Sequence, residues 1–95
     1  KAYEDEDVLV FHDIHPWAPV HLLIIPKLHI ATHADVGPEH ERLLGKMLML
    51  APKLAKEHGA DNGFRTIINT GRDGGQEVYH LHMHVIGGPR PWKQG

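Results

Sequence analysis

The chain has 95 residues, ten Lys and Arg against twelve Asp and Glu, a formal net charge of -2 and no cysteine. That length fits one small domain, able to bury roughly two-thirds of its unfolded surface, and the charge balance excludes a basic surface of the kind that grips duplex nucleic acid. The lack of cysteine removes a disulfide framework and thiolate zinc sites and fits a reducing compartment, no apolar run approaches a membrane span, and Lys1-Ala2-Tyr3-Glu4-Asp5-Glu6-Asp7 lacks the apolar centre of a signal peptide.

In chain order, Asp5-Glu6-Asp7 reads as a solvated turn and nothing more. It leads into Val8-Leu9-Val10-Phe11, a β-branched and aromatic run that predicts a strand. His12-Asp13-Ile14-His15-Pro16-Trp17-Ala18-Pro19 is a connection, punctuated by two prolines. Val20-His21-Leu22-Leu23-Ile24-Ile25 is a strand stopped by Pro26, with His21 on the face of Leu23 and Ile25. His21 is therefore either a hydrogen-bonded core histidine or part of a site.

Lys27, His29 and His33 lie in a loop after that strand. Gly37-Pro38-Glu39 opens a helix, with proline suited to the first turn and Glu39 and Glu41 placed well against the dipole. Leu43, Leu44, Met47, Leu48, Ala51, Leu54 and Ala55 recur at helical spacing as a core stripe to which the methionines belong. Gly45 and Pro52 predict a kink or break near Leu48 and Met49, and Gly59 a left-handed cap. Phe64-Arg65-Thr66-Ile67-Ile68-Asn69 is a further strand, and the glycine-rich turn from Thr70 to Gln76 joins it to a histidine-bearing strand in a long-looped antiparallel hairpin. The end, from Pro89 to Gly95, is irregular. Strands at both ends with a long helix between them argue an α+β domain on an antiparallel sheet. The sequence opens on Lys1, without an initiator methionine, and is read as the ordered part of a longer chain with its N- and C-terminal ends missing.

The histidine-bearing stretch, Val78-Tyr79-His80-Leu81-His82-Met83-His84-Val85-Ile86, alternates throughout. On a strand this puts His80, His82 and His84 on one face, and Tyr79, Leu81, Met83 and Val85 on a core-facing one. Each histidine alone could be an ordinary hydrogen-bonded residue. Side by side they suggest either ligands sharing a metal ion or a phosphate site in which imidazoles act as nucleophile, acid and donor. Gly74-Gly75-Gln76 before them and Gly87-Gly88-Pro89 after them would let backbone amides approach a ligand.

This pattern resembles the histidine triad (HIT) family. Gly74-Gly75-Gln76-Glu77-Val78-Tyr79 before the triad and Gly87-Gly88 after it resemble the nucleoside phosphoramidase branch, called HINT; Tyr3 to Asp13, Ala18 to His29 and Asn69 to Gly88 read like that branch in order. The resemblance implies a HIT-like fold: a sheet of about five antiparallel strands with one long helix, continued across a homodimer. It also implies a cytoplasmic hydrolase of purine nucleoside phosphoramidates of the AMP-amine type, needing no cofactor and working through a nucleotidyl-histidine intermediate.

Carried over residue by residue, the resemblance makes His82 the nucleophile, His80 its orienting partner, His84 the contact to phosphoryl or bridging oxygens that helps the leaving group depart, and His21 the completion of the network. It places Phe11, Ile14 and Leu23 around the purine and Asp13 on the ribose hydroxyls, and sets Asn69, Gly75, Glu77 and Val78 along the phosphate region, with the amides of Gly75 and Val78 as an anion nest. Read alone, Phe11 and Leu23 fit any strand core, and Asp13 and Asn69 fit turns. Glu77 departs from the serine of many members, as bacterial members often do, which implies a bacterial source; a carboxylate there repels phosphate, so it points away or meets a basic acyl or amine part of the substrate. In the resembling branch C-terminal residues reach the partner's site, which draws attention to Trp92. Members that bind zinc use cysteines near the N-terminus, so no metal is expected here. The competing readings are a dinucleoside polyphosphate hydrolase of the same superfamily and a non-catalytic nucleotide- or metal-binding module.

Overall fold

The computed structural model describes residues 1–93; Gln94 and Gly95, the end of the expected irregular tail, lie outside the described residues. Five strands form one antiparallel sheet: β1 (Tyr3–Glu4), β2 (Val8–His12), β3 (Val20–Pro26), β4 (Phe64–Ile67) and β5 (Met83–Gly87), in the order β1-β2-β3-β5-β4. A helix α1 (Glu41–Glu57) comes after two short 3-10 turns, His33–Asp35 and Pro38–His40. The α+β architecture is the expected one. No helix among the described residues is long and apolar enough to cross a membrane.

Strand periodicity gives the sheet two different faces. Val8, Val10, Val20, Leu22, Ile24, Met83 and Val85 join Met47, Leu50, Ala51, Leu54 and Ala55 of α1 in one buried cluster. Fully burying a side chain such as Leu22 or Leu54 contributes about 1.5–3 kcal/mol, which makes this layer the main source of stability. Among the described residues no helix covers the opposite face, which carries Leu23, Ile25 and His21.

Three expectations about these elements change. Asp5-Glu6-Asp7 is more than a solvated turn: Asp5 Oδ1 accepts from the amides of Asp7 (2.8 Å) and Val8 (3.0 Å), and Lys46 of α1 reaches Asp5 (3.0 Å) and Asp7 (2.7 Å), tying helix to sheet. Helix α1 runs unbroken through Pro52. Pro52 is exposed, as is Leu48 four residues earlier, so the missing ladder bond lies on the solvated side where water satisfies the carbonyl. For the same reason Leu48 and Met49 are surface residues, at 56% and 75% exposure, and Leu50 takes the core place the stripe had assigned to Leu48. The helix does end at Gly59 (φ 95°), with Ala60 N–H donating to Ala55 (2.7 Å) and Gly59 N–H to Lys56 (3.3 Å), the double bond pattern of a Schellman cap.

The third change is the histidine strand. It starts only at Met83, leaving His80 and His82 in an irregular segment with Val78 and Tyr79 exposed. Ile24 pairs with Met83, so a continued ladder would set Leu81 against Pro26, which has no N–H to give. Leu81 N–H bonds instead to Ile30 O (2.7 Å). The alternation survives in burial for Leu81, Met83 and Val85, all under 2% exposed, but Tyr79 is not in the core. At the other end of β5, a Cβ on Gly87 would come within 2.6 Å of Ala60 Cβ, so this glycine is there for close packing against the helix end.

Candidate functional site

The uncovered face of the sheet carries the site. Phe11 pairs with Leu23, Leu23 with His84, and His84 with Ile67, so these four residues form one row across β2, β3, β5 and β4. His21, two residues from Leu23, lies on the same face. His21 and His84 are the deepest polar side chains there, 2% and 7% exposed.

Their hydrogen bonds fix their tautomers. Trp17 N–H donates to His21 Nδ1 (3.1 Å), so a neutral His21 carries its proton on Nε2. His21 Nε2 lies 2.8 Å from His84 Nδ1, which accepts. His84 is left with its proton on Nε2. Burial foremost, and then the neighbouring His21 and His82, depress the His84 pKa to about 4. His21 is also lowered, by burial, with the Asp13 carboxylate opposing. Both imidazoles are thereby neutral at pH 7.

His82 is held differently. Its Nδ1 lies 2.8 Å from His80 O, and a carbonyl only accepts, so Nδ1 carries the proton and Nε2 a lone pair. The ring meets His84 edge-on, with centroids 5.1 Å apart. One imidazole thus offers a lone pair beside another that offers an N–H. This is what attack on an electrophilic phosphorus and stabilisation of its oxygens require.

The remaining expected residues fall into two groups. Asp13 Oδ1 accepts from His15 N–H (2.8 Å) and Oδ2 faces His21 Nε2 at 3.6 Å, so the carboxylate both closes its turn and borders the pair. Ile14, 85% exposed, and Phe11, 38% exposed, stand open to solvent with Val78. No hydrogen bond or ion pair among the described residues joins Asn69, Gly75 or Glu77 to the imidazoles. The Gly75 amide, expected to help form an anion nest, donates to Arg72 O (3.1 Å) and closes the glycine turn. The His80 ring turns away: its Nε2 donates to Pro26 O (2.8 Å) and its Nδ1 lies 3.4 Å from His29 Nδ1.

His80, His82 and His84 do not converge on a common point, which removes the geometry for an ion shared by the triad. Asp13, His21 and His84 can bring one ligand atom each within 4.8 Å of one another. An ion there would have to break the His21–His84 hydrogen bond and displace its proton, so these donors fit a proton-ordered network better than a metal. A groove of about 510 Å³ lined by Ala60, Phe64, Arg65, Arg90 and Trp92 holds none of these histidines.

Two residues went unnoticed in the sequence. Trp17 stacks on His84, with rings 14° from parallel and centroids 5.1 Å apart. A large aromatic inside a proline-rich connection, four residues before a strand histidine, was the available signal. Gln76, 7% exposed, ties the glycine loop down by accepting from Gly71 N–H (2.9 Å) and donating to Ala31 O and Val78 O (2.9 Å each).

The geometry can be set beside known proteins. The chain is 54% identical over 88 residues to protein HitA of Neisseria gonorrhoeae, covering 93% of this chain and 82% of that protein. It is likewise 54% identical over 88 residues to the purine nucleoside phosphoramidase of Escherichia coli strain K12, covering 92% of this chain and 74% of the relative. Its fold superposes on a HIT family hydrolase from Legionella pneumophila Philadelphia 1 with a TM-score of 0.89 and 49% identity, covering 93% of this chain and 80% of that one. A histidine triad protein from Clostridium difficile matches with a TM-score of 0.87 and 43% identity, over 94% of this chain and 78% of the other. The family model described as HIT domain matches residues 1–90, and the chain belongs to the HIT domain family.

Proposed function

We propose that this protein hydrolyses purine nucleoside phosphoramidates in two steps through a nucleotidyl group on His82. The observation that carries the reading is the His82–His80 carbonyl bond, which puts the proton of the neutral ring on Nδ1 and leaves the lone pair on Nε2. In the first step Nε2 attacks the α-phosphorus and the P–N bond breaks; the amine keeps the electron pair and takes a proton from water. In the second step water attacks phosphorus, the N–P bond breaks, and AMP leaves with a proton lost to solvent. In both, the His84 Nε2–H donates to a phosphoryl oxygen as negative charge grows on it. His21 holds His84 in that tautomer. The 54% identity to a purine nucleoside phosphoramidase supports this substrate class.

Asp13 accepts from the ribose hydroxyls, and Phe11, Ile14 and Leu23 provide apolar surface for the base. Asn69 and the Val78 amide donate toward phosphate. Glu77, exposed on the glycine loop, stays clear of phosphate and meets a basic leaving group, with Gly75 supplying the turn that aims it. No metal or cofactor takes part. The protein acts in the cytoplasm as a homodimer. The exposed edge strand β4, free of a neighbour on its outer side among the described residues, supports edge-to-edge pairing of two copies.

The test is hydrolysis of a fluorogenic adenosine phosphoramidate by the protein and by His82→Ala, each with and without EDTA, with mass spectrometry of quenched reactions. Turnover that resists EDTA, disappears in His82→Ala and leaves an AMP adduct on His82 is expected. Activity that needs metal and survives the substitution rejects the covalent reading, and sedimentation of the purified protein decides the dimer.

A further inference from the structure

Trp17 touches the histidine pair in two ways and the rest of the chain in a third. Its N–H caps His21 Nδ1, its indole lies against the plane of His84, and its carbonyl accepts from Lys93 N–H (2.7 Å), which anchors the tail beside the site. The indole also meets the His21 ring at 4.9 Å. Trp17 is half-buried.

We infer that Trp17 is a positioning residue for His84: its indole fixes the plane of that imidazole, and its amide, through His21, fixes which nitrogen carries the proton. The hydrogen bond to His21 holds one edge of the His84 ring and leaves open a tilt through the side-chain torsions. A parallel aromatic surface closes it. With the plane set, the Nε2–H direction is set as well, and donor direction is what stabilises an oxyanion. The titratable groups facing His84 are His21 from β3, His82 from the preceding segment and Asp13 from the β2–β3 connection. Indole cover keeps water from reaching the imidazole among them, in keeping with its depressed proton affinity.

The assignment rests on the proposed reaction only for its kinetic consequence. The first measurement is therefore on ligand-free protein: nitrogen-15 NMR of the His84 ring in wild type, Trp17→Ala and Trp17→Phe. Wild type is expected to show a neutral ring protonated at Nε2 down to about pH 4. Trp17→Ala keeps the backbone amide that caps His21, so the ring should stay protonated at Nε2, but with the indole gone water reaches the His21–His84 bond and the midpoint should move up toward the ordinary histidine range. Trp17→Phe, which keeps a stacking ring, should restore the wild-type spectrum. In turnover, Trp17→Ala should lose about tenfold or more in kcat with little change in KM, and the phenylalanine variant should recover most of it. A His84 spectrum identical in wild type and Trp17→Ala overturns the assignment, as does a loss confined to KM. If wild type itself fails to turn over while the His84 spectrum still responds to Trp17→Ala, the proposed reaction falls and the positioning assignment is supported.

Discussion

Two pairs of histidines in this fold look alike in sequence terms and behave as opposites in space. His21 and His84 meet at 2.8 Å, buried against the Trp17 indole, with both nitrogens of His21 and Nδ1 of His84 held by a neighbour. His29 and His80 meet at 3.4 Å at the surface, with rings nearly perpendicular, and one of the two is exposed. The first pair has a single proton arrangement because changing it would strand a buried donor or acceptor. Water competes for the second at no comparable cost. Proximity of imidazoles is therefore weak evidence for chemistry; enforced proton order is stronger.

That contrast can be broken at several points. The largest effect belongs to His82, which stands beside the ordered pair: His82→Ala should reduce kcat by about a thousandfold or more, read in steady-state assays. His84→Gln, which keeps an N–H donor but loses the ring held by Trp17 and His21, should cost about a hundredfold in kcat. A smaller loss would mean that proton order at this position matters less than the presence of a donor.

Next in size is a stability effect. The unfolded His84 titrates near its ordinary 6.5 and the folded one near 4, so below pH 6.5 the unfolded chain binds more protons. Stability from this group is fully present above pH 6.5 and is lost as the pH falls toward 4. Urea unfolding across that window should show the decline in wild type and a flatter curve in His84→Gln. The smallest effect is expected from the surface pair, where His29→Ala should leave kcat within about twofold of wild type. A large loss there would erase the distinction between the two pairs.

Local pattern and tertiary contact divided the information about this molecule between them. The alternation of Val8, Val10, Leu22 and Ile24 and the spacing of Met47, Ala51 and Leu54 made β2, β3 and α1 readable, because one face of each is buried against the other. The break that Pro52 suggested near Leu48 and Met49 did not occur, since the cost of a proline depends on whether the orphaned carbonyl can reach water. The histidine strand began later than its alternation suggested because its neighbour ends in Pro26, and no property of residues 78–82 encodes what lies beside them. Likewise the His21–His84 contact joins positions 63 residues apart, and only the β3–β5 register brings them together. The resemblance of the triad region to the HIT family pointed to the right family, while the proton arrangement became legible only with backbone carbonyls and amides in place.

Two imidazoles here take their orientation from main-chain carbonyls: His82 from that of His80, and His80 from that of Pro26. Replacing the side chain at position 80 leaves its carbonyl in the chain, so the tautomer of His82 is a property of the backbone's path and of no neighbouring side chain. For laboratory evolution this means that position 80 can be varied to reshape the surroundings of His82 while its lone pair stays where it is.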